Sequence, residues 1–79
     1  MEKAQNLPLS NLKTGEQAVL LKTIPEKNVA SRLASLGFTP GVEILMAQNY
    51  GRGPLVVMVR GTRVALGRQE ASRIFIQRR

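Results

Sequence analysis

The chain of 79 residues has no histidine and no cysteine. Without thiols, neither a disulfide framework nor a thiolate metal site can form. Without imidazole, a transition-metal site would rest on carboxylates and carbonyls, which zinc, iron and copper favour less than imidazole or thiolate. Acids are scarce too. Glu2, Glu16, Glu26, Glu43 and Glu70 are the whole set, and they are dispersed. A metal site within the chain is therefore not expected, nor is a cofactor. Catalysis meets the same deficits. A nucleophile finds no His or Cys partner, no two carboxylates stand close in sequence, and Ser10, Ser31, Ser35 and Ser72 read as turn or helix-surface serines. The expectation is a binding module, not an enzyme.

Long apolar runs are also missing. No stretch approaches the ~20 apolar residues that span a bilayer. The opening "MEKAQNLPLSNL" lacks an apolar core of signal-peptide length. The expected setting is cytoplasmic, without membrane insertion. Aromatic residues are limited to Phe38, Tyr50 and Phe75. That scarcity weighs against a single-strand nucleic-acid binder, which usually presents several stacking rings.

Positive charge is what the chain has in excess. Twelve Lys and Arg face five acids, for a net charge of +7, and eight of the twelve are arginine. Such a balance favours an anionic partner, whether nucleic acid, an acidic protein surface or an anionic membrane face. The arginines are scattered rather than in one run, so plain solubility is the competing account.

One domain over 1–79 is expected, with 1–6 polar and frayed. In "LPLSNLKTGEQ", Pro8 excludes a central strand or helix interior. Leu7, Leu9 and Leu12 are expected to tuck under the domain, and Thr14-Gly15 reads as a turn. "QAVLLKTI" predicts a strand ended by Pro25, with Ala18, Leu20, Lys22 and Ile24 on one face and Val19 and Leu21 on the other. "NVASRLASL" predicts a helix over about 28–36, with Val29, Leu33 and Leu36 as its apolar stripe and Asn28 as a candidate cap. Four strands follow, in "VEILMAQ", "LVVMVR", "RVAL" and "RIFIQ". "NYGRGP" is a glycine-rich loop. "RGTR" predicts a two-residue hairpin with Gly61 at the first central position of a type II′ turn. "GRQEAS" predicts a short helical turn before the last strand. The sum is a mainly β fold: a small barrel of about five strands with one inserted helix.

"LASLGFTPGVEI" holds the densest signal. Gly37 stands where a helix needs a left-handed residue to stop, and Phe38 where a side chain packs back on the helix, here near Leu33. Pro40 and Gly41 occupy the central positions of a type II turn. A phosphate loop is the functional rival. It is rejected because the Walker lysine and serine are absent and the stretch lies at a helix end, whereas anions prefer helix starts.

These pieces, taken in order, resemble the FeoA family of small ferrous-iron-transport accessory proteins. The resemblance rests on "PLSNLKTGEQAVL", on a helix ending in Leu-Gly-Phe, on Pro-Gly leading into a strand, and on Gly53-Pro54 opening the next strand. It continues through the Gly61 hairpin and "ALGRQEA" before the closing strand, and covers about Leu7 to Ile76. It implies an SH3-like barrel. It also implies a cytoplasmic role beside FeoB, the membrane Fe(II) transporter that carries a GTP-binding domain, which FeoA-like domains bind and modulate.

The corner residues Leu33, Gly37, Phe38, Pro40 and Gly41 read as scaffold, so the contact surface is expected elsewhere. Tyr50 and Arg52 in "NYGRGP", with Arg60 and Arg63 around the hairpin, are the candidates. Tyrosine and arginine combine contact area with a polar handle. The competing account is solvated loop charge. The rival functions are a nucleic-acid-binding small β-barrel, a self-associating module paired through an open edge strand, and, more weakly, a membrane-surface binder.

Overall fold

Alternation along each strand decides which side chains build the core. In the computed structural model, which describes residues 6–23 and 27–79 (27–29 by their backbone alone), the strands are antiparallel. They are β1 (Leu7–Pro8), β2 (Gln17–Thr23), β3 (Glu43–Gln48), β4 (Leu55–Val59), β5 (Thr62–Leu66) and β6 (Ile74–Arg78). A 3-10 turn (Leu9–Asn11) follows β1, helix α1 (Lys27–Ser35) joins β2 to β3, and α2 (Arg68–Ala71) precedes β6. The sheet order is β1-β6-β2-β3-β4-β5. The fold is a mainly β, SH3-like barrel.

Every second strand residue points inward. Ala18, Leu20, Ile44, Met46, Leu55, Val57, Val59, Val64, Leu66, Ile74 and Ile76 are buried together. Leu9 and Leu12 close the core from the 3-10 turn side, Leu33 and Phe38 from the end of α1, and Ala71 from α2. Leu7, Leu36 and Val42 pack partly against it.

Three details differ from the sequence-based expectation. The first is a sixth strand. Leu7 and Pro8 pair with Ile76 and Phe75 at the sheet edge. Proline is tolerated there because an edge residue does not have to donate to the ladder.

The second concerns Lys22, expected on the face of Ala18 and Leu20. Leu20 lies opposite Ile76 and Lys22 opposite Phe75, so two steps of β2 match one step of β6. Leu21 is the extra residue of a β-bulge, and the bulge slips the alternation by one. Lys22 thereby joins Phe75 on the outer face, its ammonium 5.8 Å from the ring centroid. A second bulge at Ala47 does the same in β3, leaving Gln48 opposite Val56.

The third is the β4–β5 hairpin. Val59 pairs with Thr62, so the central residues are Arg60 and Gly61, with φ of 53° and 80°. Two positive φ values make this a type I′ turn, not type II′. Gly61 is second, and Arg60 takes the left-handed first position.

The helix spans 27–35 rather than 28–36, a shift within normal fraying. The expectations for Ile24 and Pro25, for the Asn28 cap and the Val29 side chain, and for fraying over 1–5 lie outside the described residues.

Candidate functional site

The corner after α1 is closed by its own backbone. Phe38 donates to the Leu33 carbonyl at 3.0 Å and Gly37 to that of Ala34 at 3.1 Å. This is the Schellman pair of bonds, with Phe38 and Leu33 both in the core beneath it. Gly37 has φ +99°, and a Cβ there would stand 3.0 Å from Arg60 Cδ and 3.4 Å from Val59 Cγ1. Glycine is thus required twice, by conformation and by the hairpin lying against it. Val42 then donates to Thr39 at 3.0 Å across Pro40 and Gly41 (φ +91°), the bond and backbone of a type II turn. Gly41 donates to Leu20 and accepts no part in a cradle, because the Phe38, Thr39, Gly41 and Val42 amides are all bonded within the chain. No cluster of free amides is left at this corner for an anion.

The β3–β4 loop is built on Asn49. Its side-chain amide donates to the carbonyls of Leu12 (2.7 Å) and Ser10 (3.1 Å). Its Oδ1 accepts from the Gly51 N–H and from Arg68 Nη2, 3.0 and 2.9 Å away. Its backbone amide donates to Thr14 Oγ1 at 2.8 Å. Arg68 also reaches Gly53 O at 2.9 Å. The loop is therefore held from two sides while its tip faces water. Tyr50 is 76% exposed, the one large hydrophobic side chain so exposed among the described residues. Arg52, Gly53 and Pro54 beside it are exposed as well.

Arg60 and Arg63 lie at the other end of β4. Arg60 is exposed at the hairpin tip, with its stem over Gly37. Arg63 pairs across from Met58 on the outer face and is exposed. A five-residue strand at ~3.3 Å per residue separates the two groups by roughly 15 Å. The structure brings Tyr50 near Arg52 in one loop and Arg60 near Arg63 in one hairpin, but not the four into one cluster. Half-buried Leu45 and Met58, opposite each other on the outer face, line an open groove with Gln17, Glu43 and Arg60.

Charge is distributed unevenly over this frame. Each described carboxylate has an arginine: Glu16 with Arg78 at 3.2 Å, Glu43 with Arg79 at 2.8 Å, and Glu70 with Arg32. Glu70 also accepts the Gly67 N–H at the start of α2, so it ties the two helices. The Glu16 carboxylate accepts the Lys13 backbone N–H at 2.8 Å. That bond, with the Arg78 charge, holds its pKa below the usual carboxylate value. Arg52, Arg60 and Arg63 have no carboxylate partner among the described residues. No group of three or more His, Cys, Asp or Glu among those residues is placed to hold a metal ion. No described helix is long and apolar enough to cross a membrane.

Sequence reasoning does not single out Asn49 and Arg68 as the loop's anchors. Their partners lie up to 39 residues away, and only the fold brings them together. The one local signal is Asn before a Tyr-Gly pair, a side chain suited to bonding the backbone two residues on.

The strand order and the two inserted helices place the chain in the class of small SH3-like barrel domains. The FeoA domain family matches residues 7–78. The chain belongs to the FeoA family. It is 29% identical over 70 residues to a Methanocaldococcus jannaschii protein named "Putative Fe(2+) transport protein A", covering 89% of this chain and 84% of that one. A crystal structure of an iron uptake regulatory protein (FeoA) superposes with a TM-score of 0.87 at 28% identity, over 95% of this chain and all of that one. The zinc complex of Stenotrophomonas maltophilia FeoA, described as an SH3 domain protein, gives 0.78 at 35% identity, over 92% and 89% of the two chains.

Proposed function

We propose that this chain is a non-enzymatic accessory of ferrous iron uptake, which works in the cytoplasm by binding and modulating a FeoB-type membrane Fe(II) transporter. Family membership supports the iron-uptake setting. The Stenotrophomonas maltophilia relative carries the suggestion of a ferrous iron transport activating factor. The observation that carries the reading here is the set of uncompensated arginines. Arg52, Arg60 and Arg63 stand exposed while every described carboxylate is paired. Together with Tyr50, they suit an acidic protein surface. Desolvated Tyr and Arg are the residues that most often dominate interface energy.

The two groups, roughly 15 Å apart along β4, fit within one interface. A standard contact of about 800 Å² per partner is about 30 Å across. Nucleic acid is the weaker reading. Phe38 is in the core and Phe75 lies under Lys22, so Tyr50 alone would have to serve as a stacking platform.

Titration of the chain against the purified cytoplasmic region of the transporter tests the proposal. Tyr50→Ala with Arg52→Glu is expected to weaken binding at least tenfold while thermal unfolding stays unchanged. Unchanged affinity would remove this loop from the interface. Affinity for RNA that falls steeply with salt, beside none for the transporter, would replace the reading altogether.

A further inference from the structure

The register of the β4–β5 hairpin determines which backbone groups face outward at the sheet edge. In a two-residue hairpin the flanking pair, here Val59 and Thr62, exchanges both of its hydrogen bonds. Alternation then makes Val57–Val64 and Leu55–Leu66 the other bonded pairs. Arg63 and Ala65, opposite Met58 and Val56, turn their N–H and C=O away from β4. Among the described residues, β5 has no second neighbour in the sheet and these groups make no backbone hydrogen bond. Thr62, Arg63 and Ala65 are exposed. The other edge differs. β1 is two residues long and contains Pro8, which has no N–H to offer.

We propose that the β5 edge of this chain receives an extended acidic segment of its protein partner by strand addition. The Arg63 and Ala65 main-chain groups would bond the segment, and Arg60 and Arg63 would meet its carboxylates. The charge chooses the occupant. Arg60 and Arg63 have no carboxylate partner among the described residues, and an added strand places alternate side chains on the outer face beside Arg63. A second copy of this chain is a poor occupant. It would bring another +7 and its own Arg60 and Arg63 to the same edge. The residues of the added strand that face inward would lie beside Val64 and Leu66, the core-facing side chains of β5. The preferred segment therefore alternates acidic and apolar residues. This deepens the transporter reading by naming the kind of segment recognised, and in that respect rests on it.

The probe is the synthetic peptide acetyl-Val-Glu-Val-Glu-Val-amide, titrated into the full chain and followed by amide-resolved NMR. Shifts and slowed hydrogen exchange are expected at the Arg63 and Ala65 amides. The analogue with lysine in place of glutamate is expected to bind at least tenfold more weakly. Of two analogues N-methylated in the two alternating frames, one is expected to lose binding. Shifts centred elsewhere, equal binding of both N-methylated analogues, or no shift at millimolar peptide would overturn the proposal. So would slowing of the same two amides with protein concentration alone, which would assign the edge to a second copy.

Ala65→Pro, which removes one edge donor, separates this proposal from the transporter reading, with Ala65→Glu, which sets a carboxylate against the acidic segment, as the alternative if the proline variant does not fold. If the transporter's cytoplasmic region binds wild type and variant equally, the edge proposal falls and the transporter reading stands. If it binds neither while the peptide titration succeeds, the transporter reading falls and the edge stands.

Discussion

Gly37 and Arg60 are linked by a contact that neither shows alone. Gly37→Ala introduces a side chain at φ +99° and sets its Cβ 3.0 Å from Arg60 Cδ. The backbone part alone costs about 1 kcal/mol, and the contact adds to it. Thermal unfolding is expected to show a loss of about 1–3 kcal/mol. The loss is expected to be smaller when the same substitution is made in an Arg60→Ala background, because only the contact is relieved. Equal losses in both backgrounds would mean that Arg60 does not rest on Gly37. Arg60 itself occupies a left-handed position at which asparagine is favoured in type I′ turns. Arg60→Asn is therefore expected to raise stability by about 0.5 kcal/mol while weakening partner binding. Glu16 gives a pH signature. Its folded pKa is held below the usual value by the Lys13 amide and Arg78. The group thus contributes stability above the ordinary carboxylate range and loses it as pH falls through the lowered folded value. Wild type and Glu16→Gln are expected to differ at neutral pH and to converge in acid, as read by thermal unfolding across pH. A difference that widens in acid would reverse the sign of the assignment.

Elements carry the next level of the account. The spacing of Ile44 and Met46, of Val64 and Leu66, and of Ile74 and Ile76 marks the inward faces of β3, β5 and β6, because burial on one face leaves a period-two trace in sequence, whereas "LVVMV" is apolar at every position and marks burial but no face. The bulges at Leu21 and Ala47 leave no such trace. Each depends on how two strands meet across the sheet, and so the side of Lys22 was not legible in "LLKT". The hairpin's position was legible from Gly61, but its type was not. The type depends on which residues pair across it, and Arg60 is not a residue that advertises positive φ. The candidate loop was visible as "NYGRGP", whereas its anchoring was not. Asn49 and Arg68 act through partners that folding alone brings near. Asn49→Ala leaves the Leu12 and Ser10 carbonyls without their side-chain donor and Arg68 with the Gly53 carbonyl alone. It is expected to cost about 1–3 kcal/mol by denaturant unfolding and to loosen Tyr50, weakening transporter binding beyond what stability accounts for. A stability change within ±0.5 kcal/mol, the range of an ordinary surface substitution, would mean that the loop does not depend on Asn49.

Over the whole molecule, charge and fold take separate roles. The ion pairs Arg78–Glu16, Arg79–Glu43 and Arg32–Glu70 use arginine against each described acid. Part of the excess positive charge sits on Arg52, Arg60 and Arg63, in the β3–β4 loop, the β4–β5 turn and β5, and these three are exposed with no carboxylate partner among the described residues. Exposed ion pairs of this kind stabilise little. The fold is held by the apolar core, so replacing Arg52, Arg60 and Arg63 is expected to leave stability near that of wild type. The most direct measurement is calorimetric titration of the transporter's cytoplasmic region with the triple variant Arg52→Glu, Arg60→Glu, Arg63→Glu. The account predicts an unfolding temperature close to wild type and loss of detectable binding. Wild-type affinity in the folded triple variant would contradict it.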